Sequence, residues 1–328
     1  ALVITRLIVN AFYAVGLRSE KLYYRPKKER EPIDFLSKKK VFFTISLVLI
    51  AAGVITIGVN AGRGKGAFAY SLEFQGGTST NVTFDKDCSI DEIDKEIVPV
   101  VEKVTGDNNV QTQKVAGTNQ VIIKTVTLDL DKREALNKAM VDNFGVDESK
   151  ITAENISSTV SNEMRRDAVI AVVIATICML LYIWFRFKDI RFATSAVLAL
   201  LHDVLVVVGF YAIARISVGN TFIACMLTIV GYSINATIVI FDRIREEMRG
   251  KTKSSDVAAV VNKSITQTLT RSIYTSLTTF IMVAVLYVMG VSSIKEFALP
   301  LMVGVVCGAY SSVCITGALW YVMKRFKK

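Results

Sequence analysis

The chain has 328 residues, 52% of them hydrophobic, a mean hydropathy of +0.44 and a formal net charge of +10. That is too apolar for an ordinary soluble domain of this length and points to an integral membrane protein. A single histidine, no nucleophile motif and no phosphate-cradling glycine loop leave no hydrolytic constellation, and the five cysteines show neither a disulfide framework nor metal-ligand spacing.

About 20 helical residues cross a ~30 Å hydrocarbon core, and about six apolar runs meet that length. Residues 1–40 open with an apolar stretch, Ala1 to Tyr13, too short to span: either the end of a helix that begins upstream or an interfacial segment. No small-residue cleavage site marks it as a signal peptide. A charged linker follows, with Arg18, Lys21, Arg25, Lys27, Lys28, Arg30 and Lys38 to Lys40, then a first span over 41–60. Residues 61–166 read as one water-exposed domain with mixed charge. Its expected elements are a strand at Thr78 to Phe84, a helix behind a capping box at Ser89 to Glu92, strands at Val110 to Val115 and Gln120 to Thr127 around an Ala116–Asn119 turn, a helix at Leu130 to Phe144 and a strand at Lys150 to Ser157. The order β-α-β-β-α-β matches the ferredoxin-like split βαβ pattern. Five further spans fall within 167–323, at Ala168 to Phe185, Phe192 to Ile213, Phe222 to Phe241, Tyr274 to Met289 and Phe297 to Met323, with a loop at 243–270 and a basic tail at 324–328.

The fold class is therefore a polytopic α-helical membrane protein carrying one extracytoplasmic α+β domain. Lys and Arg resist export, so the basic flanks place both the N-terminal flank and the C-terminus in the cytoplasm. The positive charge reads as a topology signal and lipid-surface contact, not as nucleic-acid binding.

Polar groups inside the spans carry the functional argument. Asp203 lies about 10 residues from the start of its span near Phe192, or ~15 Å of rise, close to the bilayer centre. An ionised acid there costs at least about 2.5 kcal/mol, so such residues face a protein interior and usually serve transport. Desolvation favours the neutral carboxyl, and a group that is stable neutral yet tolerable charged can carry a proton. The structural alternative is permanent pairing with a cation that holds helices together. His202, about 100° away on the same helix, is either a relay partner or an interhelical hydrogen-bonder. On the next span Gly231 and Asn235 share one face, Ser233 and Thr237 another, with Tyr232 beside them. Arg271, Thr275 and Thr279 follow at helical spacing, with Thr268, Ser272 and Ser276 on the adjoining face. Together they are expected to line a hydroxyl-rich path to Asp203, although each alone also fits ordinary helix packing.

Four segments carry a resemblance. Ser71-Leu-Glu73-Phe74-Gln75-Gly76-Gly77-Thr78 resembles a "DFxGG" lead-in to an external domain, with Glu73 in place of Asp. Leu201-His202-Asp203-Val204 resembles an "HD" helix, and Gly231 to Glu246 a "GYSxND…DRIRE" helix with Ala236 in place of its Asp. Asn262 to Arg271, continuing to Thr279, resembles the loop and helix that follow. The chain is similar in this way to the SecF branch of the bacterial SecD/SecF protein-export family, within the resistance-nodulation-division superfamily. The resemblance implies a bacterial inner-membrane component that uses proton motive force to assist late translocation. It implies SecD, separate or fused, as partner, together with the SecYEG channel, SecA, YajC, YidC and unfolded preprotein. It implies Asp203 as the proton-bearing acid and an arginine of Asp242-Arg-Ile-Arg245 as its functional cation, Arg243 being preferred. No cofactor is implied; the coupling ion is H+, with Na+ left open. The first 30 residues read as the close of a SecD helix and a fusion linker, or as the unusual start of a free-standing chain. A small-molecule or lipid efflux component and a non-energised translocon scaffold are the rival functions.

Overall fold

In a computed structural model of the chain, six helices among the described residues are long and apolar enough to cross a membrane. The described residues are 2–16, 31–63, 66–86, 92–107, 110–115, 118–249, 256–290 and 292–325. Cys88, the Ser89 end of the expected capping box, most of the basic linker and residues 326–328 lie outside them.

Helix α1 (Leu2–Ala14) is 13 residues long, and the first span is α2 (Lys39–Gly62). After it come β1 (Ala69–Tyr70), α3 (Leu72–Gln75), β2 (Gly77–Thr83), a π-helical turn at Ile93–Ile97 running into α4 (Val98–Thr105), β3 (Gln111–Lys114), β4 (Gln120–Thr125), α5 (Leu130–Phe144) and β5 (Ile151–Ile156). The remaining spans are α6 (Ser158–Phe187), α7 (Ile190–Ala214), α8 (Asn220–Met248) and α9 (Val257–Met289), with β6 (Ser217–Val218) between α7 and α8. The last is α10 (Ser292–Tyr310), continued through a π-helical turn at Ser311–Thr316 into α11 (Gly317–Arg325).

Local chemistry sets several of these ends. Asp129 caps α5 by accepting from the Lys132 amide, and Gly145 ends that helix in the left-handed region that glycine enters without strain. Ser157 caps α6 at the point where the external domain re-enters the bundle. One expectation is corrected: residues 243–270 are not a single loop. Helix α8 runs on to Met248 and α9 starts at Val257, where Asp256 accepts from the Ala258 amide. The apolar run begins later than the helix does, because Val260, Val261 and Ile265 give the first turns of α9 a buried face of their own.

The external domain is a four-stranded antiparallel sheet in the order β3-β4-β2-β5. Strand β4 alternates half-buried and buried positions, as a sheet covered on one face requires. Its core holds Val82, Ile93, Ile97, Val101, Val121, Ile123, Leu136 and Met140.

The bundle has two apolar cores. On the side away from the external domain, Phe187, Phe192, Phe241 and Trp320 form a nest in which Phe192 stacks on Trp320 at 4.8 Å. On the domain side, Phe74, Val207, Tyr211, Met226, Ile229, Val283 and Leu301 form the other. Helices α2 and α7 touch through glycines: a Cβ placed on Gly53 would lie 2.7 Å from the Gly209 Cα. Gly209→Leu must therefore part the two helices. It is expected to cost about 1–3 kcal/mol and to lower the melting temperature in detergent, whereas Gly58→Ala, which meets nothing within 4 Å, should leave it unchanged or slightly raised.

Candidate functional site

Asp203 stands near the middle of the 25-residue α7 and is wholly buried. Its carboxylate is met from three elements. Oδ2 accepts from the Ser233 hydroxyl of α8 at 2.6 Å and from the Ser311 hydroxyl of the π-helical turn at 2.7 Å. Oδ1 accepts from the Cys307 thiol of α10 at 3.3 Å and lies 2.9 Å from Nδ1 of its neighbour His202. All of these partners are buried.

Small residues make this convergence possible. A Cβ on Gly304 would run into the Ile229 side chain, and one on Gly308 would lie 3.5 Å from the Ser233 Cβ and 3.7 Å from Asp203 Oδ2. The glycines thus let α10 approach α8 at the level of the acid. The wide turn at Ser311–Thr316 then aims Ser311 inward, and Thr316 donates its hydroxyl to the Ser311 carbonyl at 3.1 Å. Tyr310, just before the turn, donates to the Phe42 carbonyl of α2 at 2.8 Å, tying the first span to the same region.

The donor set is neutral apart from the imidazole, which is charged only when protonated. An ionised Asp203 accepts from two hydroxyls and a thiol, and a single proton fits between Oδ1 and His202 Nδ1 whichever group owns it. Nε2 of His202 is buried and has no hydrogen-bond partner among the described residues. The donor atoms of His202, Asp203 and Cys307 lie within 4.8 Å of one another, a composition that suits a soft metal, but their mutual hydrogen bonds already account for the proximity.

The expected site residues separate into four groups. Asp203, His202 and Ser233 come together, and Thr237 is buried on the same face of α8 as Ser233. Tyr232 is half-buried and donates to Ser276 at 2.8 Å, bridging α8 to α9. Asn235, Arg271 and Thr275 are exposed on the outer faces of α8 and α9, with the Thr275 hydroxyl turned back to the Arg271 carbonyl at 2.9 Å. The path expected through them to Asp203 is not enclosed by this chain alone: helical spacing groups residues by face but does not say which face is inward. Arg243 is not Asp203's cation here. It donates to Gln267 at 2.6 Å and pairs with Glu246 and Glu247 at 2.6 and 2.9 Å, near the end of α8 away from the external domain. Asp242 pairs with Arg186 at 3.1 Å.

Sequence reasoning missed Cys307, Gly308 and Ser311. The available signal was the run Gly304-Val-Val-Cys-Gly308, two glycines four apart followed one turn later by a serine pair, in a span otherwise read as plain apolar helix. The motif beginning at Asn262 has a structural role as well. Asn262 accepts from the Phe35 and Leu36 amides at 3.2 Å and donates to Asp34 at 2.7 Å, while Thr266 accepts from the Ile33 amide at 2.9 Å, so α9 anchors the chain leading into α2.

The lead-in motif lies at the domain-side rim. Phe74 is buried in the apolar core there, Gly76 and Gly77 turn the chain into β2 with φ of 73° and 138°, and Glu73 accepts from the Asn220 amide at 2.8 Å.

These features define a multi-pass helical membrane protein built around a buried, multiply hydrogen-bonded carboxyl group. Residues 136–326 match the family described as protein export membrane protein SecD/SecF, C-terminal. The chain is 36% identical over 303 residues to the protein translocase subunit SecF of Petrotoga mobilis, covering 90% of this chain and 98% of the relative. It is 36% identical over 329 residues to the SecDF subunit of Bacillus subtilis, spanning 41% of that longer protein. A crystal structure of SecDF, a translocon-associated membrane protein from Thermus thermophilus, superposes with a TM-score of 0.81 at 29% identity, covering 99% of this chain and 42% of that one. The chain belongs to the SecD/SecF family of protein-export membrane proteins.

Two outcomes follow. Ser233→Ala with Ser311→Ala leaves Oδ2 without its hydroxyl donors and should cost about 1–3 kcal/mol per lost bond, read as a lower melting temperature in detergent. The Ser37 amide, then the Asn262 side chain, hold the Asp34 carboxyl below its ordinary 3.8. A lowered folded value means that the stabilisation is complete at neutral pH, starts to fade only as pH drops below 3.8, and is gone beneath the folded value. Hydrogen exchange at the Phe35 and Leu36 amides should therefore stay protected down to that pH and rise below it.

Proposed function

We propose that this chain is the SecF-type component of a protein-export machine in the bacterial inner membrane, and that it converts proton motive force into movement through Asp203. The observation that carries the reading is a fully buried carboxyl group, halfway along a spanning helix, whose partners are two hydroxyls, a thiol and an imidazole rather than a fixed cation. A permanent structural ion pair would instead hold a guanidinium or ammonium group against it.

Protonation changes the hydrogen-bond arithmetic of the centre. As an ion, the carboxylate accepts at both oxygens and draws α7, α8 and the π-helical turn together. Once neutral, it must donate one bond, so either His202 gives up its Nδ1 proton and accepts there, or a hydroxyl turns and its helix shifts. One proton crossing 100 mV releases about 2.3 kcal/mol, enough to shift a two-state equilibrium roughly fiftyfold. Sodium prefers a cage of oxygens, and the nitrogen and sulfur beside Oδ1 favour H+.

The exposed face of α8 and α9 bearing Asn235, Arg271 and Thr275 is the surface for SecD-type helices. An arginine left against lipid costs about 2.5–3.5 kcal/mol on insertion scales, and Arg271 has no ion-pair partner among the described residues. In this reading the end of the bundle holding Arg186, Arg243 and Arg245 faces the cytoplasm, and the α+β domain faces the opposite compartment, where it handles preprotein leaving SecYEG. SecA, YajC and YidC complete the assembly.

Asp203→Asn keeps the shape and removes the titration. It is expected to abolish gradient-dependent export in membrane vesicles while the protein stays in the membrane at its normal level. Export at the normal rate by that variant would remove the proton role and leave the scaffold reading, and proton-coupled efflux of a small molecule without effect on preprotein would favour the efflux reading.

A further inference from the structure

We infer that Glu73 is a positioning residue that couples the Asp203 centre to the external domain, by capping from a distance the helix that carries Ser233. The inference rests on the proton-driven reading above.

Helix α8 starts at Asn220 behind Gly219, which has no side chain with which to cap it. The first amides of a helix have no internal partner and carry the positive end of its dipole. Here the acceptor for the Asn220 amide is Glu73 Oε2 at 2.8 Å, a residue 147 positions away in sequence. Gly219 is needed for this approach, because a Cβ there would run into Ser71 and come within 2.9 Å of Glu73 Oε2.

Backbone pairing and one side-chain bond, from the Arg215 guanidinium, hold the same two segments together. Strands β1 and β6 pair in parallel, Ala69 with Ser217 and Tyr70 with Val218, and the Ser71 amide donates to the Val218 carbonyl at 3.0 Å. Arg215 donates to the Gly66 carbonyl at 2.9 Å. The two sides of this clasp lead to different places. Three residues beyond Phe74, Gly77 opens β2, a central strand of the external sheet that pairs with both β4 and β5. Thirteen residues along α8, Ser233 donates to Asp203, ~20 Å away at 1.5 Å per residue. A helix transmits an axial or tilting displacement over that length with little loss. Movement of Ser233 therefore moves the Asn220 end, and the carboxylate held there moves the base of the sheet. The other stem is built differently: β5 passes through the Ser157 cap into the long, largely exposed α6, whose described residues make no hydrogen bond to Asp203, and it acts as a follower.

The test uses the full chain in membranes with its SecD-type partner. Glu73→Ala removes the cap and is expected to speed hydrogen exchange at the Asn220 to Phe222 amides by roughly three- to thirtyfold. It should also abolish most gradient-dependent export while the infrared carboxyl band of Asp203 still responds to pH, the signature of a working proton site that no longer drives the domain. Gly219→Ala, which displaces Ser71 and Glu73 without altering either, is expected to do the same and covers the case in which Glu73→Ala fails to accumulate. Unchanged exchange in both variants, or faster exchange with normal export, overturns the coupling role. Normal export by Asp203→Asn sinks the proton-driven reading instead, and leaves the exchange result on the clasp standing.

Discussion

One carboxylate with no accessible surface, set halfway along an apolar helix, constrains how the bundle packs. An unmet charge there is intolerable, so donors must be brought to it from other helices. They come as Ser233 from α8, Cys307 from α10 and Ser311 from the π-helical turn beyond it. These helices cannot slide or rotate independently without stripping a bond from Asp203. The packing features around the centre, the glycines of α10 and the widened turn, are conditions for reaching that one group.

The surroundings keep the site isolated. An aromatic nest of Phe192, Phe241 and Trp320 closes one side, and an aliphatic and aromatic cluster around Val207, Ile229 and Leu301 closes the other. Val204, one residue beyond Asp203, packs against both clusters. A polar centre between two apolar layers has a low effective dielectric, which strengthens each of its hydrogen bonds. Close-packed apolar layers on either side also resist displacement of the helices between them.

The α+β domain is attached to the helix that reaches this centre. Its own core is separate from those of the bundle, with Val82, Ile123, Leu136 and Met140 at its heart. It meets the bundle at a rim where backbone pairing, a buried Phe74 and the Glu73 carboxylate fasten it to the start of α8. The same helix therefore carries a hydrogen-bond donor to Asp203 at mid-length and the domain attachment at its end.

The sequence alone determined what short-range physics controls. Apolar runs of spanning length located the six membrane helices found among the described residues, and Gly145 set the end of α5 at Phe144. An acid at mid-span marked Asp203 as the residue to explain, because transfer cost depends only on depth and charge. Helical spacing correctly put Ser233 and Thr237 on one face and Gly231 and Asn235 on another. Only the tertiary structure decided which face points inward, and so separated Ser233 from Asn235, Arg271 and Thr275 as neighbours of the acid. It also moved Arg243 from the acid's partner to the far end of α8, where two glutamates and a glutamine hold it. Cys307, Ser311 and the Glu73 cap arise from contacts between residues more than 100 positions apart. No local period encodes such contacts, because they depend on how closely glycines let one backbone approach another.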